Sequence, residues 1–306
     1  MRRCTAIDVR QPGRVRPSRP IPPALSAAPF SARIATRSIG RGTLTGPSYR
    51  RLTRGAYAVA GTDISHGRMV QAMRTVLPAD AVLRGWSAAW ALGVRWAAAA
   101  DPVEVALPHD RRVRRRAGLL VTGEVLHASE VVGTDLGLAT SPARTAFDLA
   151  RRLPHDQAVA AMDALLRACG APADEVVTVA QRHPRSSGRS RALAAAWLAD
   201  PRSESPRESM LRLAVVRAGL PAPVPQYEVR MAGRFIARLD LAWPQLRVAL
   251  EYDGAHHRDR RQYGRDLARH NALRAAGWVV FQVDAAQWPR LGEVLRAVAE
   301  ALAARA

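Results

Sequence analysis

Apolar and polar positions alternate most regularly between Arg238 and Asp253, in the run RLDLAWPQLRVALEYD. Leu239, Leu241 and Trp243 fall on one side of a period-2 pattern, and Arg238, Asp240 and Ala242 on the other. Beyond Pro244-Gln245 the alternation resumes, with Leu246, Val248, Leu250 and Tyr252 against Arg247, Ala249, Glu251 and Asp253. The pattern predicts two antiparallel strands with one apolar and one polar face. A turn centred on Pro244-Gln245 puts Asp240 opposite Ala249 and diagonal to Glu251, at the roughly 7–8 Å of diagonal neighbours. Asp253 follows Glu251 on the same face.

The elements around this hairpin follow from the same periodicities. Ser205, Pro206 and Glu208 form a capping box that opens a helix. Gly254 permits a sharp exit from the second strand, and His256 and His257 come next. The stretch 258–277 reads as a helix with Tyr263, Leu267 and Leu273 near one stripe and Gly277 as C-cap. On it Asp266 and Arg269 are i, i+3 and reach back toward the sheet. Residues 278–284 form a buried strand and 287–304 a closing helix.

The remainder is less regular. Residues 1–28 are rich in Pro, Arg and Ser and are expected to be a disordered basic tail. Residues 29–65 are turn-rich, with a small hairpin over 49–60 turning at Arg54-Gly55. Residues 66–200 form a mainly helical α+β region. It opens with two helices over 66–93, whose Met69, Met73, Trp86 and Trp90 read as core rather than as a stacking platform for bases. Strands over 101–108 and 118–126 are expected to pair as a hairpin around the loop Arg111–Arg116. Two helices over 141–168 break near Pro154, with Ser141 as cap and Pro142 at the first helical position. A linker is placed within 182–204, and the last domain covers 205–306.

Composition sharpens the picture. The chain has 306 residues, enough for two or three domains, and a formal charge of +20. All 46 basic residues are arginine. The excess of cations points to a polyanionic partner, and nucleic acid, most simply duplex DNA, fits better than a membrane surface. No basic amphipathic helix with an aromatic face is present to bind a bilayer. No apolar run is long enough to span a membrane and the N-terminus lacks a signal-type apolar core, so a cytoplasmic location is expected. Cys4 and Cys169 are isolated, which argues against a disulfide framework or a zinc site. The candidate phosphate contacts are Arg50, Arg51 and Arg54 on the small hairpin and Arg111, Arg112, Arg114, Arg115 and Arg116 in the loop.

Charges on the outer face of a hairpin are often only solvated. Three carboxylates converging on one face repel one another, however, and a divalent cation with hard oxygen ligands resolves the conflict. Asp240, Glu251 and Asp253 are therefore candidate ligands for Mg²⁺ or another divalent cation.

These residues also carry a family likeness. Asp240 in DLAW, Glu251 in EYDG, His257, Asp266 three residues before Arg269, and Leu273 ahead of Gly277-Trp278 resemble the very-short-patch-repair (Vsr)-like endonuclease domains of the PD-(D/E)xK restriction-endonuclease-like superfamily. The resemblance covers about residues 205–302. It implies an α/β fold with a mixed sheet flanked by helices, and Mg²⁺-dependent hydrolysis of phosphodiester bonds. It implies that Glu208, besides capping its helix, can join the metal cluster. Asp240 and Glu251 would hold the cation with Asp253 as third ligand or water-orienting base, His257 would handle a proton, and Arg269, near Asp266, would neutralise charge on phosphorus. The superfamily pattern ends in a lysine, and this chain has none; position 253 is Asp, and the resemblance implies histidine chemistry instead. A shorter likeness, carried by Arg50–Val59 within residues 29–65, is to the winged-helix domain of AbiEi-type antitoxins, with Gly40 and Gly42 interrupting the stretch where the recognition helix would lie, and residues 66–170 resemble the segment that follows the wing in the same antitoxin-like proteins.

The expected function is that of a Mg²⁺-dependent nuclease with an N-terminal region that binds nucleic acid or a partner. The alternative is a non-catalytic DNA-binding regulator, or the antitoxin of a type IV-like toxin–antitoxin system with a partner toxin. A third reading is cleavage of RNA.

Overall fold

The computed structural model describes residues 20–108, 111, 113–254 and 260–306, with the side chains of 260–263 outside that description. The tail reading is overturned over residues 20–28. Helix α1 (Pro23–Ser26) seats Leu25, 1% exposed, against Phe30, Ala35, Leu44 and Tyr49. Strand β1 (Phe30–Ser31) leads into α2 (Ala32–Ala35), capped by the Ser31 hydroxyl, which accepts from Ile34 N at 3.3 Å. A single turn, α3 (Arg41–Leu44), stands where a recognition helix was sought. The expected hairpin is present as β2 (Tyr49–Thr53) and β3 (Ala56–Val59), joined through Arg54 and Gly55, whose φ of 89° suits glycine. These strands order as β1-β3-β2.

The middle of the chain builds a second sheet and a helical layer. Helix α4 (His66–Arg74), β4 (Val82–Leu83) and α5 (Gly85–Ala91) come first. Strands β5 (Val103–Leu107), β6 (Leu119–Gly123), β7 (Val131–Thr134) and β8 (Gly137–Thr140) complete a sheet ordered β6-β5-β4-β8-β7. Strands β5 and β6 are parallel, with Val103 beside Leu119 and Leu107 beside Gly123, which corrects the hairpin expectation. The connection between them is long enough to carry the chain back to the start of its neighbour, which a tight turn cannot do. Helices α6 (Pro142–Ala150) and α7 (His155–Cys169) form as expected, with Ser141 Oγ accepting from Arg144 N at 3.3 Å and Gly170 closing α7 at φ 62°. Phe147, Leu149, Val159, Met162 and Leu166 are buried. Helices α8 (Asp174–Arg182) and α9 (Arg189–Leu198) follow. Ala192, Ala195 and Ala196 of α9 belong to the same core, so the expected linker is packed structure.

The C-terminal region is an α/β layer structure. Helix α10 (Pro206–Arg217) precedes β9 (Val224–Met231), β10 (Arg234–Trp243) and β11 (Val248–Tyr252). Helix α11 (Arg260–Ala275) then crosses to β12 (Val279–Val283), and α12 (Leu291–Ala303) closes the chain. The sheet orders as β12-β11-β10-β9, with β11 and β12 parallel and the other pairs antiparallel. On one face Leu241, Trp243, Val248 and Leu250 pack against Leu211 and Val215 of α10 and Leu295, Val298 and Leu302 of α12. The other face is covered, as a helix reaching back to the sheet requires: Ala242 and Ala249 lie under Leu273 of α11 and Trp278. Two alanines leave no side chain to hold the helix off. Leu267, expected in that helix's apolar stripe, is 51% exposed instead. A mixed sheet flanked by helices is therefore the observed class. Among the described residues no helix is long and apolar enough to cross a membrane.

Candidate active site

The turn between β10 and β11 decides which acids meet. It spans four residues rather than two: Leu246 N donates to Trp243 O at 3.1 Å, Arg247 N to Pro244 O at 3.2 Å, and Arg247 takes a φ of 49°. Leu241 therefore pairs with Leu250 and Ala242 with Ala249. Continuing that register by one pair sets Asp240 opposite Glu251, not opposite Ala249. A shift of two residues leaves Asp240, Glu251 and Asp253 on their expected face and changes only the partner. Leu239, expected beside Leu241 and Trp243, packs instead with Ala242, Ala249, Leu273 and Trp278.

Asp240, Glu251, Asp253, Asp266 and Arg269 line one cleft of about 220 Å³, together with Arg238, Tyr252, Gly254, His270 and Gln282. Asp240 Oδ2 accepts from Tyr252 N at 2.9 Å. Glu251 is buried, and both its oxygens are held by the Arg269 guanidinium, Nη1 at 3.2 Å from Oε2 and Nη2 on Oε1. Arg269 Nη2 also reaches Arg238 O at 3.4 Å. Arg238 in turn donates to Glu204 at 2.6 Å. Asp253 stands at the end of β11, where its N donates to Val283 O at 2.9 Å.

Burial pushes the Asp240 carboxyl up to about 7; the Tyr252 N–H and Arg269 pull it down, while the charges of Glu208 and Glu251 add to the rise. Glu208 thus acts on Asp240 through its field. Its own Oε2 accepts from Glu204 N and from Gln226 Nε2, both at 2.8 Å, so its carboxylate is engaged in capping and in fixing β9. His257 and Arg112 lie outside the described residues. Among the described residues no three His, Cys, Asp or Glu side chains come close enough together to hold a metal ion. Asp240 and Glu251 form a facing carboxylate pair; burial is the main cause of the Asp240 rise, and a cation would relieve the repulsion that adds to it, as Arg269 does on the Glu251 side.

The periodicity of α11 explains what reaches the cleft. Asp266, Arg269, His270 and Leu273 lie at i, i+3, i+4 and i+7, one helical face turned to the sheet. Sequence reasoning missed His270, Arg238 and Gln282. Gln282 had a signal: it is the one polar residue in the apolar run Val279–Val283, and it pairs in register with Glu251.

The basic residues fall into one neighbourhood with two roles. Arg50, Arg51 and Arg54 are exposed on the β2–β3 hairpin, and Arg111, Arg114 and Arg115 are exposed on the loop before β6. Arg111 lies 3.3 Å from Asp80. Arg116 differs, since its guanidinium donates to the carbonyl of Arg54 at the hairpin tip and straps the loop to the hairpin.

A second cluster of charge was not anticipated. Arg144, 1% exposed, donates to Asp148 at 3.1 Å, to Glu130 at 2.7 Å and to Glu124. Arg84 joins it through Glu124 at 2.9 Å and Asp148 at 3.1 Å, and His183 through Glu130 at 2.8 Å. Burial pushes Glu130 up, but hydrogen bonds from His183 and Arg144 and the Arg144 charge outweigh it and leave the carboxyl below its ordinary value. Asp148 also pairs with Arg151 at 2.8 Å, and the network ties α6 to the residues just after β6, just before β7 and just after α8.

Comparison with known proteins gives relatives without a described role. The chain is 36% identical over 176 residues to the uncharacterized protein Rv2248 of Mycobacterium tuberculosis strain H37Rv and to the uncharacterized protein MT2308 of strain CDC 1551. The match covers 56% of this chain and 63% of each relative, so it spans less than two thirds of their length. No family model matches, and no solved structure does.

Proposed function

We propose that the protein is a Mg²⁺-dependent nuclease of the Vsr-like, restriction-endonuclease-like kind, hydrolysing phosphodiester bonds in DNA. The observation that carries the reading is the facing pair Asp240 and Glu251 in an arginine-flanked cleft, with the Asp240 carboxyl held up to about 7. Burying one carboxylate beside another is costly unless a cation or a proton joins them. Asp240 and Glu251 would hold Mg²⁺, with Asp253 beside them. The cation supplies Lewis acidity and a water of lowered pKa when bound. Arg269 would neutralise charge on the phosphoryl oxygens once it leaves Glu251, Asp266 flanks it on the same helical face, and His257 is the nearest candidate in sequence for proton transfer. The exposed arginines of the hairpin and the loop would hold the DNA backbone.

The test is nicking of supercoiled plasmid with and without Mg²⁺. Asp240→Asn and Glu251→Gln keep shape and remove a ligand charge, so cleavage is expected to fall by roughly 10²-fold or more. Binding of DNA in EDTA is expected to hold. A wild-type protein that neither cleaves nor gains thermal stability from Mg²⁺ overturns the reading.

One observation favours a second reading, a DNA-binding regulator or antitoxin acting with a partner toxin. Glu251 is already neutralised by Arg269, and the described acids do not assemble a three-ligand cluster. On that reading the cleft binds phosphate through arginine alone and Asp240→Asn leaves every activity intact.

A further inference from the structure

The cleft does not end at the carboxylates. A second cavity of about 270 Å³ continues from it between α11 and β12, lined by His270, Leu273, Arg274, Trp278, Val280 and Gln282. His270 and Gln282 belong to both. They stand at the junction, 3.2 Å apart between His270 Nε2 and Gln282 Nε2.

The donors facing this junction are few. Both arginines lining the first cleft are committed, Arg269 to the two oxygens of Glu251 and Arg238 to Glu204. His270 is half-buried and makes its side-chain hydrogen bond through Nε2 alone among the described residues. With the amide nitrogen of Gln282 as the donor, Nε2 accepts and the ring carries its proton on Nδ1. The backbone of Gln282 is set by the sheet, because β12 runs parallel to β11 with Gln282 in register beside Glu251. The residue that meets His270 is thereby carried on the same strand pair that presents the acid.

We infer that His270 is a phosphate contact at this junction, donating its Nδ1–H to a phosphate oxygen, and that Gln282 is the positioning residue that fixes its tautomer. The second cavity, with Arg274 exposed at its rim, then takes the nucleotide flanking the reacting phosphate. The inference rests on the reading that the cleft receives a nucleic-acid phosphate.

The experiment uses the full chain labelled with ¹⁵N at histidine, with a short DNA duplex added in EDTA, alongside plasmid nicking in Mg²⁺. The His270 signals are expected to report a protonated Nδ1 and a bare Nε2, and to shift when the duplex binds. Nicking by His270→Ala is expected to fall about 10²-fold, the scale of losing one donor to developing charge. His270→Asn, which keeps an N–H near the Nδ1 position, is expected to recover part of that loss. Gln282→Leu is expected to leave a mixed tautomer and lower cleavage without moving Tm, which a purely structural role for Gln282 does not explain. Signals that ignore the duplex, or His270→Ala nicking at the wild-type rate, overturn the inference. If the duplex shifts His270 while the wild type never nicks, the nuclease reading falls and the phosphate contact stands. If the wild type nicks, Asp240→Asn does not and His270→Ala does, the contact falls and the nuclease reading stands.

Discussion

Asp240 shows most directly what a buried acid costs the fold. Its value of about 7 lies above the ordinary aspartate value of roughly 3.9, so folding favours its protonated form. The stability it contributes is present in full below about pH 4 and is lost as pH rises through 7. Asp240→Asn removes a group that resists ionising while keeping an acceptor for Tyr252 N. In the absence of metal, its Tm is therefore expected to exceed the wild type at pH 8, by on the order of 2–4 kcal/mol in stability, with the gain shrinking toward zero as pH falls to about 4.5. Thermal melts across that range in EDTA check it; a gain that does not vary with pH removes Asp240 from the set of strained acids. Most of this residue-level picture was legible from period 2, which put Asp240, Glu251 and Asp253 on one face. The partner of Asp240 was not, because Arg247 adopts a left-handed φ that nothing in its residue type announces.

At the scale of elements, alternation identified β10 and β11 and capping identified α6 and α10, since both signals are local. Pairing across long connections was not legible: β5 and β6 read as a hairpin until their parallel register was seen. The Arg144 network escaped for the same reason. Arg144 and Asp148 are i, i+4 and look like a surface helix pair, and only the fold brings Glu124 and Glu130 onto them. The junction of α7 with α10 is the element-level feature with a measurable consequence. Asp163 accepts from Arg212 Nη2 and Ser209 Oγ at 2.8 Å and from Asp200 N at 2.7 Å, while Asp156 pairs with Arg217 at 2.7 Å on the rim. Removing Asp163 leaves Arg212 buried without its counter-charge, a loss of about 3–5 kcal/mol. In calorimetry the wild type is expected to show one transition across the middle and C-terminal regions, and Asp163→Ala to split it in two. An unsplit, equally stable variant means the two regions do not depend on this brace. Asp156→Ala, at the exposed pair, is expected to change stability by less than about 1 kcal/mol.

For the whole molecule the charge of +20 is the dominant quantity, and the fold sorts its arginines by role. The affinity for duplex DNA is expected to fall steeply with salt, with a log–log slope that measures the phosphates engaged. Replacing Arg50, Arg51, Arg54, Arg114 and Arg115 with Ser is expected to flatten the slope by a few units. Replacing Arg116 is expected to leave the slope nearly unchanged and to loosen the hairpin, because its guanidinium is spent on the Arg54 carbonyl. Equal slopes for wild type and the five-fold variant return those arginines to solvated surface. The same strap has a geometric consequence. With Arg116 tying the hairpin to the middle sheet and Asp163 tying the middle helices to α10, the arginine-bearing tip and the acidic cleft sit on one frame rather than on a tether. A frame of that kind measures. On the nuclease reading, scission falls a constant number of base pairs from wherever the tip comes to rest.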